Sequence, residues 1–161
     1  MIRPATPDDV PEIVAMVHEL AAYERAAELC RLSVEGLRAA LFAPAPALFA
    51  HVAVDDATAR PVGFALWYVS FSTWDGMHGL YLEDLFVRPA ARRDGHGGAL
   101  LRELAAVAVE RGYSRLEFVV LDWNDIAIGF YRKLAAVPLE GWTTWRLTGD
   151  ALLRLGGRGP G

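Results

Sequence analysis

An α/β (α+β) fold in one domain is predicted by three features of the sequence. Helical and alternating periodicities interleave in the order β-α-α-β-β-β-α-β-α-β. Thr73-Trp74-Asp75-Gly76 turns one strand back onto the next, which makes a hairpin. The 161 residues, 53% of them hydrophobic and 22% charged, suffice for a single core. No internal repeat or linker interrupts the chain, so the domain is expected over 1–155, with 156–161 as a disordered tail.

Each element has its own signal. Ile2 to Thr6 reads as a short strand. Thr6 then caps a helix that starts at Pro7-Asp8-Asp9, with Asp9 placed to complete a capping box. Ile13, Val14, Val17, Leu20 and Ala21 follow at helical spacing. Tyr23 to Arg31 is polar and reads as a loop or frayed end. Ser33 caps a second helix carrying Leu37, Ala40 and Leu41, which Pro44-Ala45-Pro46 ends. Leu48 to Val54 alternates as a strand, Val62 to Phe71 is a strand rich in aromatic and β-branched residues, and Gly79 to Val87 is its return. Leu100, Leu101, Leu104, Val107 and Ala108 form one helical face between Gly97 and Arg111, and Gly112 fits the C-terminal stop. Leu116 to Leu121 reads as a strand, Asn124 to Leu134 as a helix, and Trp142 to Leu147 as a last strand.

Composition narrows the function. A net charge of −4 argues against a nucleic-acid partner, whose phosphates call for a basic surface. Cys30 is the single cysteine, so no internal disulfide forms and a reducing compartment is expected. Cys30 itself reads as a partly buried bystander. No apolar run reaches membrane-spanning length and no basic-then-apolar leader is visible, so no membrane partner is expected and the cytoplasm is the expected location. No metal-ligand spacing is present.

The most informative stretch runs from Leu80 to Leu101. An apolar strand carrying Glu83 and Asp84 leads through Arg92-Arg93-Asp94-Gly95-His96-Gly97-Gly98 into a helix. The first turn of a helix has unpaired N–H groups at the positive end of its dipole, and glycines let a ligand approach the backbone. Such a turn suits a phosphate-bearing ligand. A nucleotide P-loop would need Gly-Lys-Ser or Gly-Lys-Thr where Gly97-Gly98-Ala99 stands. A dinucleotide fold would need glycine where Leu100 stands, and an N-terminal strand before it. The plain alternative is a glycine turn that only closes a strand–helix junction.

The flanks of that loop carry a family resemblance. Arg92-x-x-Gly95-x-Gly97 after Asp84-Leu85-Phe86-Val87 resembles the acetyl-CoA pyrophosphate loop of the GNAT N-acetyltransferases. Ile2-Arg3-Pro4-Ala5-Thr6, Glu19 to Glu24, Val62-Gly63-Phe64-Ala65, Tyr81-Leu82-Glu83-Asp84, Asp122-Trp123-Asn124-Asp125, Phe130-Tyr131-Arg132 and Glu140-Gly141-Trp142 are similar to the spermidine/spermine N-acetyltransferase branch. The similarity runs from about Ile2 to Leu153. It implies a single central mixed, mostly antiparallel sheet flanked by helices, with acetyl-CoA in a cleft between splayed strands. It also implies a homodimer.

The resemblance assigns roles. Backbone groups of Leu85, Phe86 and Val87 are expected to pair with pantetheine. Amides from Arg93 through Asp94, Gly95, His96, Gly97 and Gly98 are expected on the pyrophosphate, with Arg92 and Arg93 adding charge. Arg93 stands where many relatives have glycine, and His96 reads more naturally as loop surface than as a catalyst. Asn124 is expected to cap its helix, meet the cofactor or do both, and Ala127 is expected to meet the cofactor. An alkylammonium is protonated at neutral pH, so the site must remove a proton before the amine can attack. Glu83 is the first choice for that base, directly or through water, and Asp84 the second. Regular alternation points the two to opposite faces, and a bulge would bring both to the cleft. Tyr131 is expected to protonate the leaving sulfur, although spacing alone would read it as core.

Tyr23, Glu24, Trp74, Glu83, Asp84, Glu140 and Trp142 are expected to line an acidic, aromatic path for a small amine. The leading expectation is a polyamine or diamine acceptor. The polyamine enzymes carry an acid two residues before the tryptophan; Ser72 stands there instead. Thialysine or another amino acid, an aminoglycoside or a protein amine is the alternative within the enzyme class. A non-catalytic acyl-CoA-binding regulator is the alternative outside it.

Overall fold

A computed structural model of the chain describes residues 1–157. The chain divides into two compact units, Met1–Val119 and Val120–Gly161.

The first unit contains β1 (Ile2–Pro4), α1 (Val10–Tyr23), α2 (Val34–Phe42), β2 (Phe49–Val54), β3 (Pro61–Ser72), β4 (Met77–Val87), α3 (His96–Glu110) and β5 (Leu116–Glu117). The strands form one open sheet in the order β1-β2-β3-β4-β5. The first three pairings are antiparallel, and β5 runs parallel to β4. The sheet is therefore mixed and mostly antiparallel, as expected. The β5 strand is shorter than the predicted Leu116–Leu121. It pairs only Leu116 with Leu80 and Glu117 with Tyr81. Beyond Tyr81 the outer edge of β4 has no strand beside it among the described residues.

Alternation along the central strands gives the sheet two covered faces. Val52, Val54, Phe64, Leu66 and Phe86 pack with Val10, Ile13 and Met16 of α1 and with Leu37 and Leu41 of α2. Residues of the opposite parity, among them Ala53, Ala65, Trp67, Leu80 and Leu82, are buried on the side of α3, whose Leu100, Leu104 and Ala108 are buried with them. Local chemistry holds the helices in place. The Ser33 hydroxyl accepts from Gly36 N–H at 3.0 Å and caps α2. A 3₁₀ turn at Pro7–Asp9 precedes α1, and Asp9 organises it. The Asp9 carboxylate accepts Arg3 Nη1 at 2.6 Å and Nη2 at 2.9 Å, and the Thr6 N–H at 2.7 Å. Burial alone would raise the Asp9 carboxyl, but the Arg3 and Thr6 hydrogen bonds outweigh it and hold the group below the usual carboxylate range. Arg88, just past β4, donates to Glu12 at 2.8 Å and to Glu19 at 3.0 Å, which pins α1 to the end of that strand.

The second unit contains α4 (Asp125–Lys133) and α5 (Gly149–Leu155). The strand predicted at Trp142–Leu147 does not form. A strand exists through its ladder, and no described residue of this unit belongs to a strand that could supply one. Trp142 and Trp145 are 73% and 91% exposed. The C-terminal helix α5 went unread because its apolar residues fill only two turns. Gly156 and Gly157 close it in a turn; the remaining residues of the expected tail, 158–161, lie outside the described residues.

Candidate active site

The two acids of β4 are positioned by an irregularity in the sheet. Leu82 pairs with Trp67 and Asp84 with Leu66, so Glu83 is an extra residue with no partner on β3. Such a bulge re-aims the side chains beside it. Tyr81 pairs with Tyr68, and Tyr68 lies two residues from Leu66, so Tyr68, Tyr81, Leu66 and Asp84 all lie on one face. Without the extra residue, Asp84 would point the other way. The end of α1 lies near this face: Tyr23 shares the Arg92 guanidinium with Phe86, and the charge of Glu24, the C-cap, acts on Asp84.

Glu24, Glu83 and Asp84 thus form one electrostatic cluster. Burial, reinforced by the charges of Glu83 and Glu24, pushes the Asp84 carboxyl up to about 6. Burial raises Glu24 as well. Glu83 is exposed. A carboxylate poised near neutrality is suited to accept a proton, and its two acidic neighbours suit a cation.

Sequence reasoning did not single out the residues beside this cluster. The Tyr68 and Tyr81 rings stack at 4.9 Å. Burial, with the charges of Glu83 and Glu117, pushes both phenols up. Glu117 lies opposite Tyr81 in the parallel register. Arg115 Nε lies 2.7 Å from Glu117 Oε2. The signal available in the sequence was parity: Tyr68 and Tyr81 become partners once the hairpin register is known.

The hairpin turn spends its polar groups internally. Ser72 is buried, and its hydroxyl accepts from Asp75 N–H at 3.1 Å. The Asp75 carboxylate faces Arg115 at 3.4 Å. Trp74, at the tip, is 86% exposed.

The glycine-rich loop has the form its sequence implies. Gly95 is the N-cap of α3 at φ +81°, a conformation that favours glycine, and a side chain there would meet open space. The first-turn amides of α3 lie just past this glycine, at the helix N-terminus. Arg93 adopts φ +78° despite its side chain. Arg92 Nε donates to the Val87 carbonyl at 2.9 Å, and the guanidinium lies over the rings of Tyr23 at 5.4 Å and Phe86 at 5.6 Å. Arg92 thus ties the loop to β4 and to α1. The edge at Leu85–Val87, which no strand pairs among the described residues, and the glycine-rich loop both suit an extended, phosphate-bearing ligand.

In the second unit, Asn124 caps α4 by accepting from Ala127 N–H at 3.2 Å. The capping role expected of Asn124 is present, and Ala127 supplies its donor. Burial pushes the Tyr131 phenol up to about 12, so it carries its proton at neutral pH. Glu140 and Trp142 are exposed residues of this unit. Among the described residues no group of His, Cys, Asp and Glu is arranged to hold a metal ion, and no helix is long and apolar enough to cross a membrane.

The model of the acetyltransferase (GNAT) family matches residues 13–136. The chain belongs to the GNAT acetyltransferase family. It is 38% identical to a thialysine N-epsilon-acetyltransferase of Bos taurus, covering 98% of each chain. It is 32% identical to an L-ornithine N5-acetyltransferase of Arabidopsis thaliana, over 94% of this chain and 85% of that protein. A spermidine/spermine N(1)-acetyltransferase-like protein of Homo sapiens is 32% identical over 94% of this chain, which corresponds to 23% of that protein. Among solved structures, an integron cassette protein from the mobile metagenome of V. cholerae superposes with a TM-score of 0.80 at 24% identity, covering 97% and 96% of the two chains. An aminoglycoside acetyltransferase from a soil metagenome superposes with a TM-score of 0.75 at 20% identity, covering 92% and 95%. These two establish the fold. As a GNAT acetyltransferase the protein is an acetyl-CoA-dependent N-acetyltransferase, and the relatives named for amino acids back the thialysine alternative over the polyamine expectation.

Proposed function

We propose that this GNAT enzyme acetylates the side-chain amine of a lysine-like amino acid, with thialysine the first acceptor to test. The observation that carries this reading is the near-neutral Asp84 between Glu24 and Glu83, a proton acceptor set inside a cation-binding cluster. The hairpin supports a short acceptor. Ser72 stands where a polyamine enzyme has an acid, and its hydroxyl is spent on Asp75 N–H. The names of the thialysine and ornithine relatives support the same choice.

Acetyl-CoA supplies the acetyl thioester. Glu24 and Glu83 hold the side-chain ammonium, and Asp84, directly or through water, takes one of its protons. The amine lone pair then forms the new C–N bond as the C–S bond breaks. Tyr131 gives its proton to the departing sulfur. The second amine proton returns through water to the Tyr131 oxygen, and Asp84 releases its proton to solvent, which restores both groups. The edge of β4 at Leu85–Val87 and the loop from Arg92 to Gly98 bind the cosubstrate, and Asn124 with Ala127 shapes the start of the helix that carries Tyr131.

Release of CoA from acetyl-CoA, measured with thialysine, ornithine, lysine, putrescine, spermidine and an aminoglycoside, tests the reading. Turnover led by the amino acids is expected. Turnover led by spermidine would restore the polyamine acceptor. Acetyl-CoA binding without turnover of any amine would point to a binding module instead.

A further inference from the structure

Arg115 and Glu117 lie beside the Tyr68–Tyr81 pair and are claimed by no step above. Their side chains share the face that carries Asp84. Ser70 pairs with Gly79 two residues from the tyrosine pair, and a Cβ on Gly79 would meet Ser70 Oγ and Arg115 Cγ at 2.9 Å each. The absent side chain at Gly79 is therefore the space through which Arg115 crosses the sheet. Arg115 reaches Glu117 through Nε at 2.7 Å and Asp75 through Nη1 at 3.4 Å. Its side chain is 32% exposed and that of Glu117 27% exposed. Arg115 Nη2 donates no hydrogen bond and Glu117 Oε1 accepts none among the described residues.

We infer that Arg115 and Glu117 form the subsite for the amino-acid end of the acceptor, Arg115 taking its α-carboxylate and Glu117 its α-ammonium. This rests on the acceptor class proposed above. Charge complementarity argues for it: a zwitterion offers one group to each member of an existing ion pair, so neither member is left unbalanced. The guanidinium fork suits a carboxylate, and the stacked Tyr68 and Tyr81 rings give the α-ammonium an aromatic neighbour. Spacing argues for it as well. Leu66, opposite Asp84, and Tyr68, opposite Tyr81, are one same-face step apart, about 7 Å along the strand. Glu117 lies one strand further, about 5 Å to the side. That is the reach of an extended lysine-like side chain, with its amine at Asp84 and its backbone end at Glu117. A diamine of the same length would satisfy Glu117 and leave Arg115 without a substrate partner.

The test compares thialysine with its decarboxylated counterpart, bis(2-aminoethyl) sulfide, which keeps both amines and lacks the carboxylate. Wild type is expected to prefer thialysine in kcat/KM. Arg115→Gln should cut that preference at least about tenfold, through KM, as loss of a charge-assisted hydrogen bond implies. Glu117→Gln should raise KM for both amines together. Retained acetyl-CoA affinity and an unchanged circular dichroism spectrum identify folded variants, and Arg115→Lys, which keeps charge and packing but loses the fork, provides a milder second variant. An unchanged preference in folded Arg115→Gln or Arg115→Lys overturns the subsite while leaving the acceptor class standing. Failure of wild type to turn over either compound overturns the acceptor class and the subsite with it.

Discussion

Asp84 shares a sheet face with Tyr81 because Glu83 between them has no partner on β3. The pleat would otherwise send residues three apart to opposite faces. This one-residue insertion places a carboxylate beside Glu24, where burial and two like charges move its titration up to about 6. The proton acceptor of the proposed reaction is thus a product of strand register.

A pH–rate profile tests this assignment. Only ionised Asp84 accepts a proton, so kcat/KM should rise with pH through a limb near 6, the value in the free enzyme. Asp84→Asn should lower kcat/KM by about 10²–10⁴-fold and abolish the limb. Glu83→Gln removes one of the like charges that raise Asp84, so it should move the limb to lower pH. A limb that persists in Asp84→Asn would assign the base elsewhere.

The same residue should cost stability. Its folded pKa is raised above the ordinary 3.8, so the folded state holds the extra proton between about pH 4 and 6. Stability from this group is then highest below pH 4 and falls as pH rises through about 6. Asp84→Asn should therefore stabilise the protein by about 1–2 kcal/mol at pH 7 and change little at pH 4. Urea unfolding at the two pH values reads the difference.

Much of this arrangement was legible beforehand. The Thr6–Asp9 box, the Ser33 cap, the hairpin and the α3 apolar face are local patterns, and local patterns survive in sequence. The glycine-rich loop was legible for the same reason. Register was not. Whether Glu83 or Asp84 is the residue displaced from the ladder depends on pairing across β3, which no single strand records. The stacked tyrosines and the Arg115–Glu117 pair were hidden likewise, because each is an ordinary residue in or just before a strand until its neighbour is known. The Trp142–Leu147 segment shows the converse. Its apolar residues resemble a strand, yet strand formation requires a partner beside it.

Tyr131 should matter to chemistry rather than to cofactor binding. Its phenol, pushed up to about 12, stays protonated across the working range and adds no alkaline limb below that. Tyr131→Phe should reduce kcat by about 10²-fold or more while the acetyl-CoA dissociation constant, measured by calorimetry, stays within about twofold. Equal loss in binding and kcat would make it a packing residue.

Arg93 holds a left-handed conformation, φ +78°, at a position where the resemblance leads one to expect glycine. Left-handed backbone costs a residue with a side chain about 1–2 kcal/mol. Glycine would relieve that cost but forfeit about 0.5–1 kcal/mol through its freer unfolded chain. Arg93→Gly should thus gain about 0.5–1 kcal/mol, visible as a higher urea midpoint. The guanidinium at the mouth of α3 is lost in exchange. Acetyl-CoA should bind several-fold more weakly, and its affinity should fall less steeply with added salt, since one charge no longer faces the phosphates. A variant that gains stability and keeps its affinity would show that Arg93 contributes nothing to the cosubstrate. One that loses stability would show that its side chain contacts outweigh the backbone strain.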